Sequence, residues 1–252
     1  MASILLDNVS VDFPIYDVNG RSLRRELVRI GTGGRIDQGP GGRVTVRALD
    51  HISLVVRASD RLGIIGHNGA GKSTLLRTAA GIYEPVAGRV EVRGRVAPLF
   101  DIMLGIDQDL TGYENIFVRG FYLDMTRKRM QEKIEDIAAF SDLGNYLHMP
   151  LRTYSTGMLV RLAFSIATSI PADILLMDEV IGAGDAAFHR KAEARLNQFI
   201  ADAEILVVAS HSTELLRHLC NRGVVLHSGR IAFDGSIGDA IKYYEDWSAR
   251  AA

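Results

Sequence analysis

Polar and apolar residues alternate along "ILLDNVSVDF" (4–13), which predicts a strand at the start of the chain. The pattern then breaks. In "GRSLRRELVRI" (20–30), Leu23, Leu27 and Ile30 share one helical face, with Arg24, Arg25 and Arg29 around it. The next stretch, "GTGGRIDQGPGGR" (31–43), is rich enough in glycine to read as a turn or loop. From residue 48 the pattern turns regular, with strands predicted at "ISLVV" and "LGIIG", a helix after them, then strands at "RVEVRG" and "RVAPLF". Residues 110–170 read as mostly helical, and Thr111 and Glu114 in "LTGYENI" have the spacing of a capping box. Short uncharged strands follow at "ILLM", "ILVVAS", "GVVLH" and "RIAFDG", the first two separated by a helix from Ala186 to Ile200. Apolar strands alternating with helices imply a parallel sheet covered on both faces. The expectation is an α/β core interrupted by a helical lobe, without internal repeats.

Composition narrows this picture only slightly. Over 252 residues, 47% hydrophobic and 23% charged content are those of a globular protein, and a net charge of −1 gives no reason to expect nucleic acid. The single cysteine, Cys220 in "LLRHLC", suits a reducing compartment and reads as a buried structural thiol. No apolar run approaches the ~20 residues of a spanning helix. The N-terminal stretch lacks a basic region and Asp7 interrupts its apolar run, so it does not read as a signal peptide. A cytosolic protein is expected unless another chain holds it at a membrane.

Candidate chemistry lies in three places. "GHNGAGKS", from Gly66 through His67, Asn68, Gly69, Ala70, Gly71 and Lys72 to Ser73, follows a strand and leads through Thr74 into a helix. It fits G-x-x-x-x-G-K-[ST], in which glycines let successive N–H groups curl around phosphate oxygens at a helix N-terminus. Lys72 is expected to reach the β and γ phosphates and Ser73 to bind Mg²⁺. His67, at a variable position of this motif, is expected to face solvent. "ADILLMDEV" delivers Asp178 at the carboxyl end of a buried strand, where it can hold magnesium through water. Glu179, immediately after it, is suited to be the general base for an attacking water. His211, just past "ILVVAS", lies at the same sheet edge and could bond the γ-phosphate; the other six histidines show no metal spacing.

In this order the motifs resemble those of the ATP-binding subunit of an ABC transporter. The phosphate loop is followed by "YSTGM" (Tyr154, Ser155, Thr156, Gly157, Met158), similar to that family's signature, then "ILLMDE", "GAGD" with Gly184 and Asp185, and His211. The resemblance spans roughly residues 2–247. It implies a phosphate-loop ATPase core with a parallel-rich sheet at about 1–100 and 171–235, and an N-terminal antiparallel part. It also implies a helical subdomain at about 105–170, an insert at 17–46 and a closing helix at about 236–250. "RVAPLFD", "DLTGYENI" and "DEVIGAGDAAF" are further similar to exporters of bacterial O-antigen, capsule, teichoic acid and galactan. The resemblance therefore implies ATP and Mg²⁺ as ligands and hydrolysis of ATP to power export of a lipid-linked glycan. It implies a six-helix membrane permease and a second copy of the chain as partners, at the cytoplasmic face of the inner membrane. After "AIKYYEDWSARAA" no room is expected for the carbohydrate-binding domain that some members add.

Two positions depart from or blur the family pattern. Asp101 stands where these transporters have a glutamine that touches Mg²⁺, which leaves metal contact as one option for it. The aromatic that stacks on adenine is expected at Phe13, with Tyr16 as the alternative. A drug or lipid exporter is the rival reading within transport. A DNA-repair or ribosomal ABC ATPase is expected to carry a long coiled coil or two cassettes, neither of which reads from this sequence, and a kinase or small GTPase leaves "YSTGM" and Glu179 without a role. A non-enzymatic nucleotide-gated module does not explain an intact Lys72, Asp178 and Glu179.

Overall fold

The computed structural model describes residues 1–15, 36–38, 44–122, 125–178 and 186–251. In chain order these form β1 (Ser3–Ile15), β2 (Ile36–Gln38), β3 (Val44–Arg57), β4 (Arg61–Ile65), α1 (Lys72–Ala79), β5 (Ala87–Arg93) and β6 (Val96–Pro98). They continue as α2 (Gly112–Tyr122), α3 (Arg127–Ser141), α4 (Thr156–Ala167), β7 (Ile174–Asp178), α5 (Ala186–Asp202) and β8 (Ile205–Ala209). The last elements are α6 (Thr213–Leu219), β9 (Arg222–His227), β10 (Arg230–Ser236) and α7 (Ile237–Ala251). The chain divides into two units, one of residues 1–94, 176–179 and 204–252, the other of 95–175 and 180–203.

The first unit holds two sheets. One is antiparallel, ordered β2-β3-β1-β5. Alternation in β1 sends Ile4 and Leu6 inward opposite Val56 and Leu54 of β3, and all four are buried. The register shifts between Leu6 and Val9, and Asn8 in that gap takes a left-handed φ of 55°, which asparagine tolerates better than most residues. The segment read as a glycine-rich loop contains β2, paired through Ile36↔Val46. Pairing to the long edge of β3 supplies hydrogen bonds that local propensity does not reveal.

In the other sheet β4 is central, parallel to both β8 and β9, and β10 returns antiparallel to β9. The β9–β10 turn has positive φ at both Ser228 (50°) and Gly229 (75°), the twist a tight hairpin needs. The end of β7, Leu176–Asp178, belongs to this unit beside β8. Every residue of β8 is buried, as expected of a parallel strand covered on both faces. Ile4, Leu6, Leu54 and Val56 share one apolar interior with Leu62, Ile64, Leu75 and Leu76, so α1 is clamped in the core. Helix α7 lies close on β9, since a Cβ on Gly223 would stand 2.5 Å from that of Ala240.

The second unit is built mainly of helices. Ile116, Met130, Ile137, Leu147, Leu151, Leu162 and Ile166 form its core. Thr111 and Glu114 make the reciprocal capping bonds their spacing predicts: Glu114 N–H donates to Thr111 Oγ1 at 3.2 Å, and Thr111 N–H donates to Glu114 Oε2 at 2.8 Å. The described residues 186–203 group with this unit, whereas the sequence reading assigned them to the ATPase core. Side-chain chemistry explains the difference. Phe188 meets Phe140 at 5.7 Å and Phe164 at 6.2 Å, Lys191 donates to the last carbonyls of α3 (3.0 Å to Phe140), and Arg195 pairs with Asp136.

Candidate functional site

The chain turns sharply out of β4 at Gly66, where a Cβ would stand 2.6 Å from the Leu226 carbonyl oxygen, so the loop starts with a residue that only glycine can be. It ends at Gly71, left-handed at φ 109° and with the Ala48 carbonyl 2.8 Å from where a Cβ would sit. Helix α1 begins immediately after, with no side chain capping its first turn, so those N–H groups are left to point into the loop. Lys72 is 8% exposed, and its ammonium donates to the Gly66 carbonyl at 2.6 Å and the His67 carbonyl at 3.2 Å. His211 Nε2 lies 3.4 Å from the same ammonium.

A cavity of about 630 Å³ brings these groups together. It is lined by Asn68–Thr74 of the loop, by Asp178 at the end of β7, by His211 and by Phe13 of β1. Residues separated by more than a hundred positions thus meet at the carboxyl edge of the parallel strands. Ser73 and Asp178 offer the hard oxygen donors that suit Mg²⁺. Phe13 faces the cavity and makes an edge contact with Tyr83, ring centroids 5.0 Å apart. Tyr16, Glu179, Gly184 and Asp185 lie outside the described residues.

His67 corrects an expectation. It is half-buried, its ring stacked 6.0 Å from Trp247 of α7 and 5.4 Å edge-on from His227 at the end of β9. The loop is thereby tied to the last helix, a contact that no local pattern announces because Trp247 lies 180 positions away.

In the second unit, a cavity of about 720 Å³ opens at the N-terminus of α4, lined in part by Gly144, Tyr146, Ser155, Gly157, Met158 and Arg161. Ser155 caps the helix, its Oγ accepting from Met158 N–H at 3.3 Å, and Ser155 and Thr156 are exposed. Asp142 also lines this cavity and pairs with Arg161 at 3.9 Å, so it is the helix N-terminus that favours an anion here. Tyr154 belongs to the structure beneath: it is buried, its hydroxyl donates to the Tyr146 carbonyl at 2.6 Å, and burial pushes its phenol up to about 12. Leu162, Ala163, Ile166 and Ala167 are buried in the core, at the spacing of one helix face, with Leu159 half-buried.

Asp101 precedes a loop bound to α2 by two buried side chains. Asn115 accepts from Asp107 N–H at 2.9 Å and donates to the carbonyls of Asp107, Leu110 and Thr111. Arg119, 5% exposed, donates to the carbonyls of Ile102 and Leu104. Burial lowers its guanidinium to about 10, and the charge of Asp101 pulls in the opposite direction. Sequence reasoning passed over Arg119. The available signal was its spacing, three and four residues after Ile116 and Asn115, on the buried face of one helix. Cys220 is buried as expected, its thiol pushed up to about 12 by burial.

Comparison with known proteins agrees with this geometry. A family model described as "ABC transporter" matches residues 49–182. The O-antigen export system ATP-binding protein RfbE of Yersinia enterocolitica is 48% identical over 231 residues, covering 92% of this chain and 97% of that protein. RfbB of Klebsiella pneumoniae, also an O-antigen export system ATP-binding protein, is 34% identical over 96% of this chain and 97% of its own length. The teichoic acids export ATP-binding protein TagH of Bacillus anthracis is 36% identical over 79% of this chain, which spans 36% of that longer protein. Among solved structures, the ATP-binding cassette MJ0796 in a dimeric post-hydrolysis state bound to ADP and Pi superposes with a TM-score of 0.64. It covers 93% of this chain and 98% of its own at 18% identity, a likeness of fold.

Proposed function

The chain belongs to the ABC transporter family, and from that premise we propose that it is the ATP-hydrolysing subunit of an exporter of lipid-linked cell-surface polysaccharide. The observation that carries the ATPase reading is the convergence of Lys72, Ser73, Asp178 and His211 on one cavity at the phosphate loop. The export reading is supported by the names of the relatives, two for O-antigen and one for teichoic acid.

In this reading the loop amides and Lys72 hold the β and γ phosphates, and Phe13 stacks on the adenine. Ser73 and Asp178 would hold Mg²⁺, which would supply positive charge to neutralise the phosphates. Glu179 orients and deprotonates the attacking water, and His211 keeps the geometry in line. Gly184 and Asp185 are assigned to the contact between two copies.

Each copy carries one phosphate loop and one "YSTGM" turn, so two complete sites need two chains, with Ser155, Thr156 and Gly157 closing over the partner's ATP. We assign the pair to the cytoplasmic face of a bacterial inner membrane, docked on a six-helix permease. Among the described residues no helix is long and apolar enough to cross a membrane, which supports attachment through that partner.

The deciding experiment reconstitutes the chain with its membrane subunit in vesicles carrying a lipid-linked glycan. ATP- and Mg²⁺-dependent hydrolysis is expected, weak for the chain alone and cooperative in the complex, with glycan reaching the opposite leaflet. Hydrolysis without glycan movement, but with movement of a drug or simple lipid, would refute the substrate assignment.

Trp247 offers a direct reading of the loop, because it is the sole tryptophan of the chain and stacks on His67. Intrinsic fluorescence is expected to change on saturation with a non-hydrolysable ATP analogue, and Trp247→Phe to lose the signal while still binding. A wild-type spectrum indifferent to the analogue would mean that loop occupancy does not reach α7.

A further inference from the structure

We propose that Trp247 is a positioning residue for the nucleotide, acting through three clustered rings by which α7 and the β9–β10 turn brace the phosphate loop. His67, His227 and Trp247 close a triangle. Their centroids lie 5.4 Å apart from His67 to His227, 4.6 Å from His227 to Trp247 and 6.0 Å from His67 to Trp247. All three separations fall in the range of favourable ring contacts. Each corner comes from a different part of the fold: the loop, the end of β9 and α7.

Packing along α7 explains why Trp247 arrives there. Ala240 is buried, and a Cβ on Gly223 of β9 would stand 2.5 Å from its own. Trp247 lies seven residues after Ala240, on the same helix face and about 10 Å along the axis. His227 lies four residues after Gly223, about 13 Å along the strand. Helix and strand keep pace, so the tryptophan reaches the strand end where the histidine stands. The turn beyond His227 also meets the loop through backbone. Gly229 N–H donates to the Ala70 carbonyl at 3.0 Å, and the Leu226 carbonyl oxygen lies 2.6 Å from where a Gly66 Cβ would sit.

His67 links the brace to the site. Its ring meets Trp247 and His227, while its carbonyl accepts from the Lys72 ammonium at 3.2 Å. Its Nδ1 lies 2.7 Å from the carbonyl oxygen of Asn68, a residue that lines the cavity. Holding that ring fixes the backbone on which Lys72 rests. A loop released from it must be ordered when ligand binds, which weakens affinity. The effect on affinity rests on the ATPase reading of the loop; the brace itself does not.

The test measures binding of a non-hydrolysable ATP analogue with Mg²⁺ to the full chain by calorimetry, which needs no tryptophan. Trp247→Ala is expected to raise Kd roughly tenfold, and Trp247→Phe, which keeps a ring, to stay within about twofold of wild type. Tyr243→Ala removes instead the stacking of α7 on Phe233 of β10, and its Kd is expected to stay within about twofold. An unchanged Kd in Trp247→Ala, a phenylalanine variant as weak as alanine, or an equal rise in Tyr243→Ala overturns the proposal.

Amide hydrogen exchange without nucleotide separates the brace from the ATPase reading. Ala70 N–H donates to the His67 carbonyl at 3.0 Å, and exchange across residues 66–72 is expected to be roughly tenfold faster in Trp247→Ala. Equal exchange overturns the brace even for a chain that binds no nucleotide. Faster exchange in such a chain upholds the brace and removes the ATPase reading alone. Should Trp247→Ala fail to fold, His227→Ala, at an exposed position, decides by the same exchange. A rise of about threefold or more is expected there, and no rise overturns the brace.

Discussion

Glu179→Gln is expected to bind ATP as the wild type does and to hydrolyse it ~10²–10⁴-fold more slowly. That is about 3–5 kcal/mol of transition-state stabilisation. The reasoning runs from Asp178, which closes β7 and lines the phosphate cavity with Lys72 and His211. Glu179 is the next residue, and the acid there is the one assigned to the water. Glutamine keeps the size and can still accept a hydrogen bond, but it cannot take the proton. In the proposed site, binding is assigned to the loop amides, Lys72 and Phe13, and none of these is changed by the substitution. Equilibrium binding of ATP together with single-turnover hydrolysis separates the two effects. Turnover near the wild-type rate would remove Glu179 from the role of base.

The second large effect is expected at Gly157. Gly157→Asp should leave the fold and ATP binding by the single chain intact while abolishing hydrolysis. The structure makes this a clean substitution. A Cβ at Gly157 would meet only Ser155 Oγ, at 3.9 Å, and the backbone there does not have positive φ. An acid in the first turn of α4 also suits the positive end of the helix, so thermal stability is expected to be unchanged or slightly raised. What changes is the charge facing the cavity at that helix terminus. A carboxylate ~4 Å from a phosphate charge costs about 4 kcal/mol at an effective dielectric of 20, near three decades in rate. A stable variant with full hydrolysis would return "YSTGM" to the role of an ordinary helix start.

Much of the fold was legible because its signals are local. The phosphate loop needs left-handed backbone at Gly69 (φ 77°) and Gly71 (φ 109°), a requirement local to each residue, so its motif reads directly from the sequence. The cap at Thr111–Glu114 spans three positions and forms as read, and the Ser155 cap spans the same short distance. The continuous burial of β8 follows from an unbroken apolar run. The motif order was equally legible, and with it the family.

What the sequence could not decide depends on partners far along the chain. Phe13 faces the cavity because β1 pairs with β3 beside the loop, a register set by two strands rather than one. His67 is covered by Trp247, and the helix from Ala186 joins the helical unit because Phe188 and Arg195 find Phe140 and Asp136 there. Arg119 is the sharpest case. An arginine is seldom fully buried, and only packing makes Arg119 of "ENIFVRG" a buried side chain holding the carbonyls of Ile102 and Leu104. The sequence by itself determined which groups can do phosphate chemistry, since hydrogen-bond capacity and backbone freedom are properties of the residue. Tertiary structure alone decided which of them are buried, paired or aimed at one another, because burial and Coulomb energy depend on neighbours that the chain brings together only when folded.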